Sequence, residues 1–339
     1  MRQRRGRCTS APIWARFLDT QSERAYIPGL IVRQLLRRVQ CGVRVNSVIP
    51  AIGFGLITAS ILAIAAVGFT LQFSVTNILN LAYGDTMTAS AFAAYVTNRA
   101  GVNIWVSLVV ASIFAAAFSM LLNRFVYFRF VRRGTRLFAM IIVTIAVGLI
   151  IQNVLLAVFR PTFFSYTASS GPSYHLGSMV FTASQLAIMG IAVAAMLAVH
   201  LVSTRTRLGK AMRATATNPS LARSCGVSTD RVIDVAWLMS GALCGVAGVV
   251  LVLNTATFDD VTGANFLVPI IAAAVLGGIG QPYGAMLGAL TIGLGSEVAA
   301  AVINPSYKEV VAFLMLIVVL LLRPQGILSE VANAKEVAA

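Results

Sequence analysis

Long apolar runs separated by short polar loops occupy the chain from about residue 47 onward. An α-helix needs roughly 17–25 apolar residues to cross a bilayer. The runs that meet this length plainly are 48–73, 104–122, 137–158, 181–202 and 232–253. Less regular candidates follow the same pattern at 75–98, 266–280, 286–303 and 308–322. The pattern predicts an all-α, polytopic transmembrane helix bundle of about eight to nine membrane segments, one of them broken or re-entrant.

Polar side chains interrupt some of these runs. They are Asn77, Asn80, Asp85, Gln152, Asn153 and Glu297. Polar groups inside a bilayer are costly, so each is a candidate functional residue. For the two carboxylates the functional interpretation is a gate, a structural pair or a proton relay. The alternative is a position close enough to the interface to stay hydrated, and neither carboxylate has an obvious basic partner within the spans.

The composition excludes several classes of protein. Of 339 residues, 58% are hydrophobic and 11% charged, whereas a soluble globular chain carries roughly 25% charged residues. The net charge of +15 would suggest nucleic acid in a soluble protein, but the arginines lie in a tail and in loops, where membrane topology explains them. The cysteines form no CxxC pair and neither histidine has an acidic cluster nearby, so no disulfide framework or metal site is predicted.

The loops predict the orientation of the chain. Arginines concentrate in residues 124–136 and 203–231, whereas residues 254–265 contain Asp259 and Asp260 with no lysine or arginine. Basic loops mark the cytoplasmic side. Counting spans backwards then places residue 47 outside.

The arginine-rich tail, residues 1–46, contradicts that topology. A re-entrant first segment, a cleaved signal peptide or a tail missing from the mature protein would each remove the contradiction. We expect the tail to come from an upstream-extended reading frame. The expected organisation is this tail, a transmembrane domain over 47–328 and a cytoplasmic tail over 329–339.

The basic loop at 203–231 contains signals for a short helix. Asn218 is a good N-cap, Pro219 suits the first helical position and Gly226 a C-terminal stop. Leu221 and Cys225 share a face of that helix. The loop is interpreted either as a docking site for a cytoplasmic partner or as a connector whose charge only sets orientation.

A glycine-rich stretch, residues 277–284, separates two short apolar segments and predicts a tight hairpin at membrane depth. The glycines expected to allow close helix packing are Gly277, Gly278, Gly280, Gly284 and Gly288. No GxxxxGK[ST] motif occurs in the chain, so the glycines do not predict a phosphate site.

Several blocks in order resemble the permease subunits of branched-chain amino acid ABC importers, specifically the shorter of two sibling permeases. The blocks begin at Gly68, Asn80, Arg207, Ala273 and Pro324 and read GFT, NLAYGD, RLGKAMRA, AAVLGGIG and PQGIL. The resemblance covers about residues 46–328. Two departures stand out: Leu81 and Tyr83 replace the usual Phe and His, and the residues after Asn218 are neutral where the family often has acids.

The resemblance implies a passive pore half that pairs with a second permease, sits on two ATPase subunits and receives substrate from a periplasmic binding protein. It makes the basic loop the ATPase contact, with these candidate residues: Arg207, Lys210, Arg213, Asn218, Leu221, Ala222, Arg223 and Gly226. It also adds Tyr83 to the polar candidates for the translocation path.

The sequence therefore predicts a multi-pass permease subunit of the bacterial inner membrane, without catalytic residues or a cofactor of its own, ATP being bound by partner subunits. Its expected solutes are branched-chain amino acids or related small polar molecules. The alternative is a secondary transporter working alone, with Asp85 and Glu297 as proton or ion sites. A scaffold or receptor would require a sizeable soluble domain, which the sequence does not predict.

Overall fold

The fold is taken from a computed structural model, which describes residues 45–167, 173–176, 179–302 and 307–322. Its helices before the two strands are α1 (Val45–Thr76), α2 (Tyr83–Arg99), α3 (Ile104–Leu122), α4 (Phe128–Arg132) and α5 (Leu137–Phe159), with a π-helix at Asn123–Tyr127. Two strands, β1 (Ser173–Leu176) and β2 (Met179–Thr182), follow. The remaining helices are α6 (Ala183–Arg205), α7 (Arg207–Thr217), α8 (Pro219–Ser224), α9 (Thr229–Thr255), α10 (Thr262–Gly277), α11 (Pro282–Val302) and α12 (Lys308–Leu322).

The chain divides into two units, Met1–Arg44 and Val45–Ala339. The first unit lies outside the described residues, and so does the predicted tail at 329–339. Residues 45 and 46, which the sequence analysis assigned to the tail, already belong to α1.

Each predicted membrane segment corresponds to a helix. In the described part of the chain, 6 helices are long and apolar enough to cross a membrane, and α10 and the middle of α12 are shorter apolar helices. The predicted helix bundle is therefore confirmed. The break does not lie within the first segment, because α1 runs without interruption to Thr76 and residues 77–82 then separate it from α2.

Two helices form the centre of the bundle. The most apolar stretch of α1 is 78% buried within the protein, and that of α9 is 72% buried. The corresponding stretches of α5 and α6 are each only 22% buried. The helices α11, α10 and α6 pack on α1, and α3 and α2 pack on α9. Small residues allow these close contacts. A Cβ at Gly293 of α11 would lie 2.5 Å from the Ala59 Cα of α1. A Cβ at Gly241 of α9 would lie 2.6 Å from the Ala115 carbonyl oxygen of α3.

The end of the bundle away from the basic loops is closed by a hairpin and an aromatic cluster. Strands β1 and β2 pair antiparallel, with Ser173 opposite Thr182. Phe164 and Phe258 form a two-way backbone bridge at 2.9 Å, and Phe92 packs edge-to-face against Phe258 with 4.9 Å between ring centroids. Burial raises the pKa of the Tyr166 hydroxyl, which donates to the Ala91 carbonyl oxygen at 3.0 Å. These contacts hold the loop after α5 and the loop after α9 together.

Candidate functional site

The basic loop folds into two consecutive capped helices. Thr206 caps α7 by accepting from the Gly209 N–H at 3.1 Å, and Asn218 caps α8 by accepting from the Leu221 N–H at 3.1 Å. Gly226 follows α8 with φ +83°, as the predicted helix stop requires. The predicted helix at 218–226 is present, and the structure adds a second capped helix, α7, before it. Thr206 was the missed signal, since a threonine before a basic amphipathic stretch is a good N-cap.

Helix α7 presents a charged face and an apolar face. Arg207, Lys210 and Arg213 are exposed, and within the described part of the chain none of them forms an ion pair. On the other side Met212 is buried against Val75, at the end of α1, and Val232 of α9. Unpaired cations on an exposed face suit an acidic partner surface.

Helix α8 exposes one apolar side chain and anchors the rest. Leu221 is 60% exposed, whereas Ala222 is 5% exposed. Arg223 turns back toward α9, donating to the Thr229 hydroxyl at 2.6 Å and to the Asp230 carboxylate at 2.8 Å. Among the predicted docking residues, Leu221 therefore faces outward and Arg223 ties α8 to α9.

The break at residues 77–82 is the second feature of the site. Asn77 is exposed at φ +56°, where the chain leaves α1, while Asn80 and Ala82 are buried. Backbone polar groups that a break leaves without helical partners must be satisfied elsewhere in the protein when they are buried. The Thr144 hydroxyl supplies one such contact by donating to the Leu79 carbonyl oxygen at 3.2 Å.

A buried polar network surrounds Asn80. The side-chain Nδ2 of Asn80 donates to Gln72 Oε1 at 3.5 Å, and its side-chain Oδ1 accepts from the Tyr127 hydroxyl at 3.3 Å. Gln72 Oε1 also accepts from the Ser240 hydroxyl at 3.2 Å. Tyr127 belongs to the π-helix and stacks on Trp237, with 4.9 Å between ring centroids. Single-turn π-helices occur frequently at functional sites.

Tyr83 and Asp85 lie directly after the break, in the first turn of α2. The Tyr83 hydroxyl donates to the Ala65 carbonyl oxygen at 3.1 Å, in space left by Gly68. The Asp85 carboxylate lies against Gly148 of α5, where a Cβ would overlap it. Three deeply buried polar atoms around the break have no hydrogen-bond partner in the described structure: Gln72 Nε2, Asp85 Oδ1 and Trp237 Nε1.

Two of the predicted path residues lie apart from this network. Asn153 is exposed on α5 and donates to the Leu149 carbonyl oxygen of its own helix at 2.7 Å. Gln152 is half-buried on the same helix. Asn80, Tyr83 and Asp85 are therefore all buried in or directly after the break, whereas Asn77 is exposed there and Gln152 and Asn153 lie on α5.

Glu297 has a basic partner, contrary to the sequence analysis. Lys308, the first residue of α12, forms an ion pair with it, and the Thr58 hydroxyl of α1 donates to the same carboxylate oxygen at 2.6 Å. Lys308 follows Glu297 by 11 residues in the chain and lies against its carboxylate in the folded protein. Glu297 therefore lies apart from Asp85: Glu297 has an ion-pair partner, whereas Asp85 forms no ion pair with any residue that the structure describes.

The glycine hairpin combines two different requirements. Gly277 and Gly284 face each other so closely that a Cβ on either would overlap the other's carbonyl group, and Gly288 meets the Ala273 carbonyl oxygen in the same way. Gly280 differs, because a Cβ there would reach nothing nearer than 3.9 Å. The close packing expected at Gly280 is absent. Glycine is required there because the backbone has a φ of +93°, which other residues rarely adopt. Gly278 also has a positive φ, of +103°.

Sequence reasoning missed several residues that build these features. Gln72, Tyr127 and Ser240 complete the network around Asn80, and Asp234 accepts from the Asn123 amide at 2.9 Å and from Arg124 at 3.1 Å. A glutamine within the first apolar run was the available signal. Tyrosine and serine carry no such signal, because both are common in membrane helices with no polar partner.

Comparison with known proteins agrees with this architecture. Residues 51–320 match the protein family described as "Branched-chain amino acid transport system / permease component". The high-affinity branched-chain amino acid transport system permease protein LivH of Escherichia coli K12 is 31% identical over 291 residues, covering 81% of this chain and 94% of LivH. The corresponding protein BraD of Pseudomonas aeruginosa is 32% identical over 297 residues, with the same coverage of 81% and 94%.

A solved structure, PsaBC from Streptococcus pneumoniae in complex with Fab, aligns with 85% of this chain and 95% of its own at 14% identity and a TM-score of 0.44. The apolar helices and the curated relatives mark a multi-pass protein of the bacterial inner membrane. With a family match over most of its length and two relatives above 30% identity, this chain belongs to the family of branched-chain amino acid transport system permease components.

Proposed function

We propose that this chain is one permease subunit of an ABC importer and forms half of a translocation pathway for branched-chain amino acids or related small polar solutes. A second permease would complete the pathway, a periplasmic binding protein would deliver the solute, and separate subunits would bind and hydrolyse ATP. The observation that carries the proposal is the exposed cationic and apolar surface of α7 and α8 in a chain that lacks the GxxxxGK[ST] motif of its own.

The position of that surface gives a route for coupling. Met212, on the inner face of α7, packs against Val75, two residues before the break begins. Arg223 joins α8 to the first turn of α9. A partner that moves α7 and α8 therefore pushes on both sides of the polar network around Asn80. Residues 77–82 are the part of the path we expect to change conformation.

The test places a carboxylate on the exposed face of α8. We expect Leu221→Asp to reduce ATP-dependent leucine uptake at least tenfold while the protein remains inserted, because a charge replaces the apolar contact with the ATPase. Uptake would be measured in membrane vesicles that contain the whole transporter and its binding protein, together with recovery of the ATPase on the purified permease.

Ser224→Asp is the matched control, since it adds the same charge to another exposed position of the same helix. It should retain most of the uptake. Normal uptake with Leu221→Asp would contradict docking through α8.

The rival function, a secondary transporter working alone, rests on the unpartnered Oδ1 of Asp85. The same vesicles separate the two functions. Uptake that persists without the ATPase subunits and disappears when the proton gradient is dissipated would support the rival.

A further inference from the structure

A cavity of about 300 Å³ lies within this subunit, on the side of the bundle away from the basic loops. It is open on one side and is lined by α1, the end of α9, α10, α11 and the start of α12. Its size falls at the lower end of the range of small-molecule sites, about 300–1,000 Å³. The network around Asn80 contributes no residue to its lining.

One wall of the cavity carries a fixed cation. Lys308 lines it, and its ammonium group is held by Glu297, which the Thr58 hydroxyl fixes at 2.6 Å. The carboxylate occupies one of the three N–H donors of the lysine. The other two are available to a second acceptor, and the Lys308 side chain is 40% exposed. A carboxylate is the natural ligand for such a donor.

A second wall carries hydrogen-bond acceptors. Pro269 lies inside α10 and has no N–H, so the carbonyl oxygen of Asn265 receives no helical hydrogen bond from it. Asn265 and Pro269 both line the cavity, as does Asn254 at the end of α9. An ammonium group on a ligand would satisfy a carbonyl oxygen left without its helical donor.

The rest of the lining is apolar. Ile61 and Leu62 of α1, Ile292 of α11 and Phe266 of α10 contribute hydrocarbon surface to the same cavity. A molecule that fits must therefore carry a carboxylate, an ammonium group and a compact apolar side chain.

We infer that this cavity is a binding site for the free zwitterion of an aliphatic α-amino acid, held by one permease subunit alone. Lys308 binds the carboxylate, the Asn265 carbonyl oxygen accepts from the ammonium group, and Ile61, Leu62 and Ile292 contact the side chain. Glu297 is a positioning residue that orients the lysine. The inference rests on the proposed function for the identity of the solute, and it adds a site at which the solute stays within the permease after leaving the binding protein.

The test is equilibrium binding of radiolabelled leucine to the purified, complete transporter without its binding protein. We expect saturable binding to the wild-type complex. Leucinamide, which lacks the carboxylate, and 4-methylpentanoate, which lacks the ammonium group, should each compete at least tenfold less well than leucine. This comparison uses the wild-type protein, so it does not depend on the folding of any variant.

Two variants then locate the site. Ala312→Leu fills the cavity from the buried face of α12 without changing any charge, and it should lower leucine affinity at least tenfold. Val318→Leu, on the exposed face of the same helix, is the matched control and should bind as the wild type does. Lys308→Met should remove the advantage of leucine over leucinamide.

The outcomes separate this inference from the proposed function. A complex that imports leucine with its binding protein, yet shows no saturable binding without it, overturns the site and leaves the function standing. Wild-type affinity in Ala312→Leu also overturns the site. A complex that imports no aliphatic amino acid at all refutes the proposed function, and the inference falls with it.

Discussion

At the scale of single residues, the structure depends on pairs in which a glycine makes room for a polar side chain. Gly68 of α1 leaves space for the Tyr83 hydroxyl, and Gly148 of α5 leaves space for the Asp85 carboxylate. Both polar residues lie at the start of α2, directly after the break. The break is therefore held by side chains that reach into gaps on neighbouring helices.

The Gly68 and Tyr83 pair gives a residue-scale prediction. In Gly68→Ala the new Cβ overlaps the Tyr83 hydroxyl and lies 3.0 Å from the Leu243 Cβ, so we expect a loss of about 1–3 kcal/mol in stability. Tyr83→Phe alone should cost about 1 kcal/mol, because it removes a buried hydrogen bond.

Together the two changes should cost less than their sum, since the phenylalanine removes the atom that clashes. Thermal unfolding of the purified single and double variants in detergent measures this coupling. Strictly additive losses would show that the two residues do not meet.

At the scale of helices, close packing and backbone conformation make separate demands on the glycine hairpin. Gly284→Ala should prevent α10 and α11 from packing, because the methyl group overlaps the Gly277 carbonyl group. In Gly280→Ala the methyl group contacts no close neighbour, and only the backbone at φ +93° is strained. We therefore expect a loss of about 1–3 kcal/mol in stability and normal transport.

The yield of folded permease and its uptake activity distinguish these two variants. A well-folded, active Gly284→Ala protein would refute the close approach of α10 and α11. Loss of assembly in Gly280→Ala would instead contradict the open space around that turn.

Helix-scale prediction from sequence succeeded where the signal was local. Asn218, Pro219 and Gly226 mark the ends of α8 because capping depends on a few consecutive residues. The π-helix at Asn123–Tyr127 was not predicted, since an extra residue in a helical turn leaves no composition signal. It is stabilised by distant partners, Asn80 and Asp234.

At the scale of the whole molecule, the distribution of charge predicts which end faces the cytoplasm. Cys225 is exposed beside α8, and Cys244 is buried inside α9. With Cys8 and Cys41 changed to serine and the permease expressed without its partners, a membrane-impermeant maleimide should label Cys225 in inside-out vesicles and not in intact spheroplasts.

Thr257→Cys, at an exposed position in the loop after α9, is the matched control and should show the opposite pattern. Labelling of Cys225 from outside would reverse the topology. It would also place the docking surface on the wrong side of the membrane for an ATPase.

The sequence by itself determined the spans and the ends of α8, and it predicts the sidedness of the loops. Each of these follows from a local property: the cost of polar groups in lipid, the cytoplasmic bias of arginine, and the capping of unpaired backbone groups. Tertiary structure alone decided that Lys308 pairs with Glu297, that Gly68 receives the Tyr83 hydroxyl, and that Gln72 and Ser240 complete the network around Asn80. These contacts join helices whose rotation and depth depend on close packing between small residues, and the hydropathy of a single run does not specify that packing.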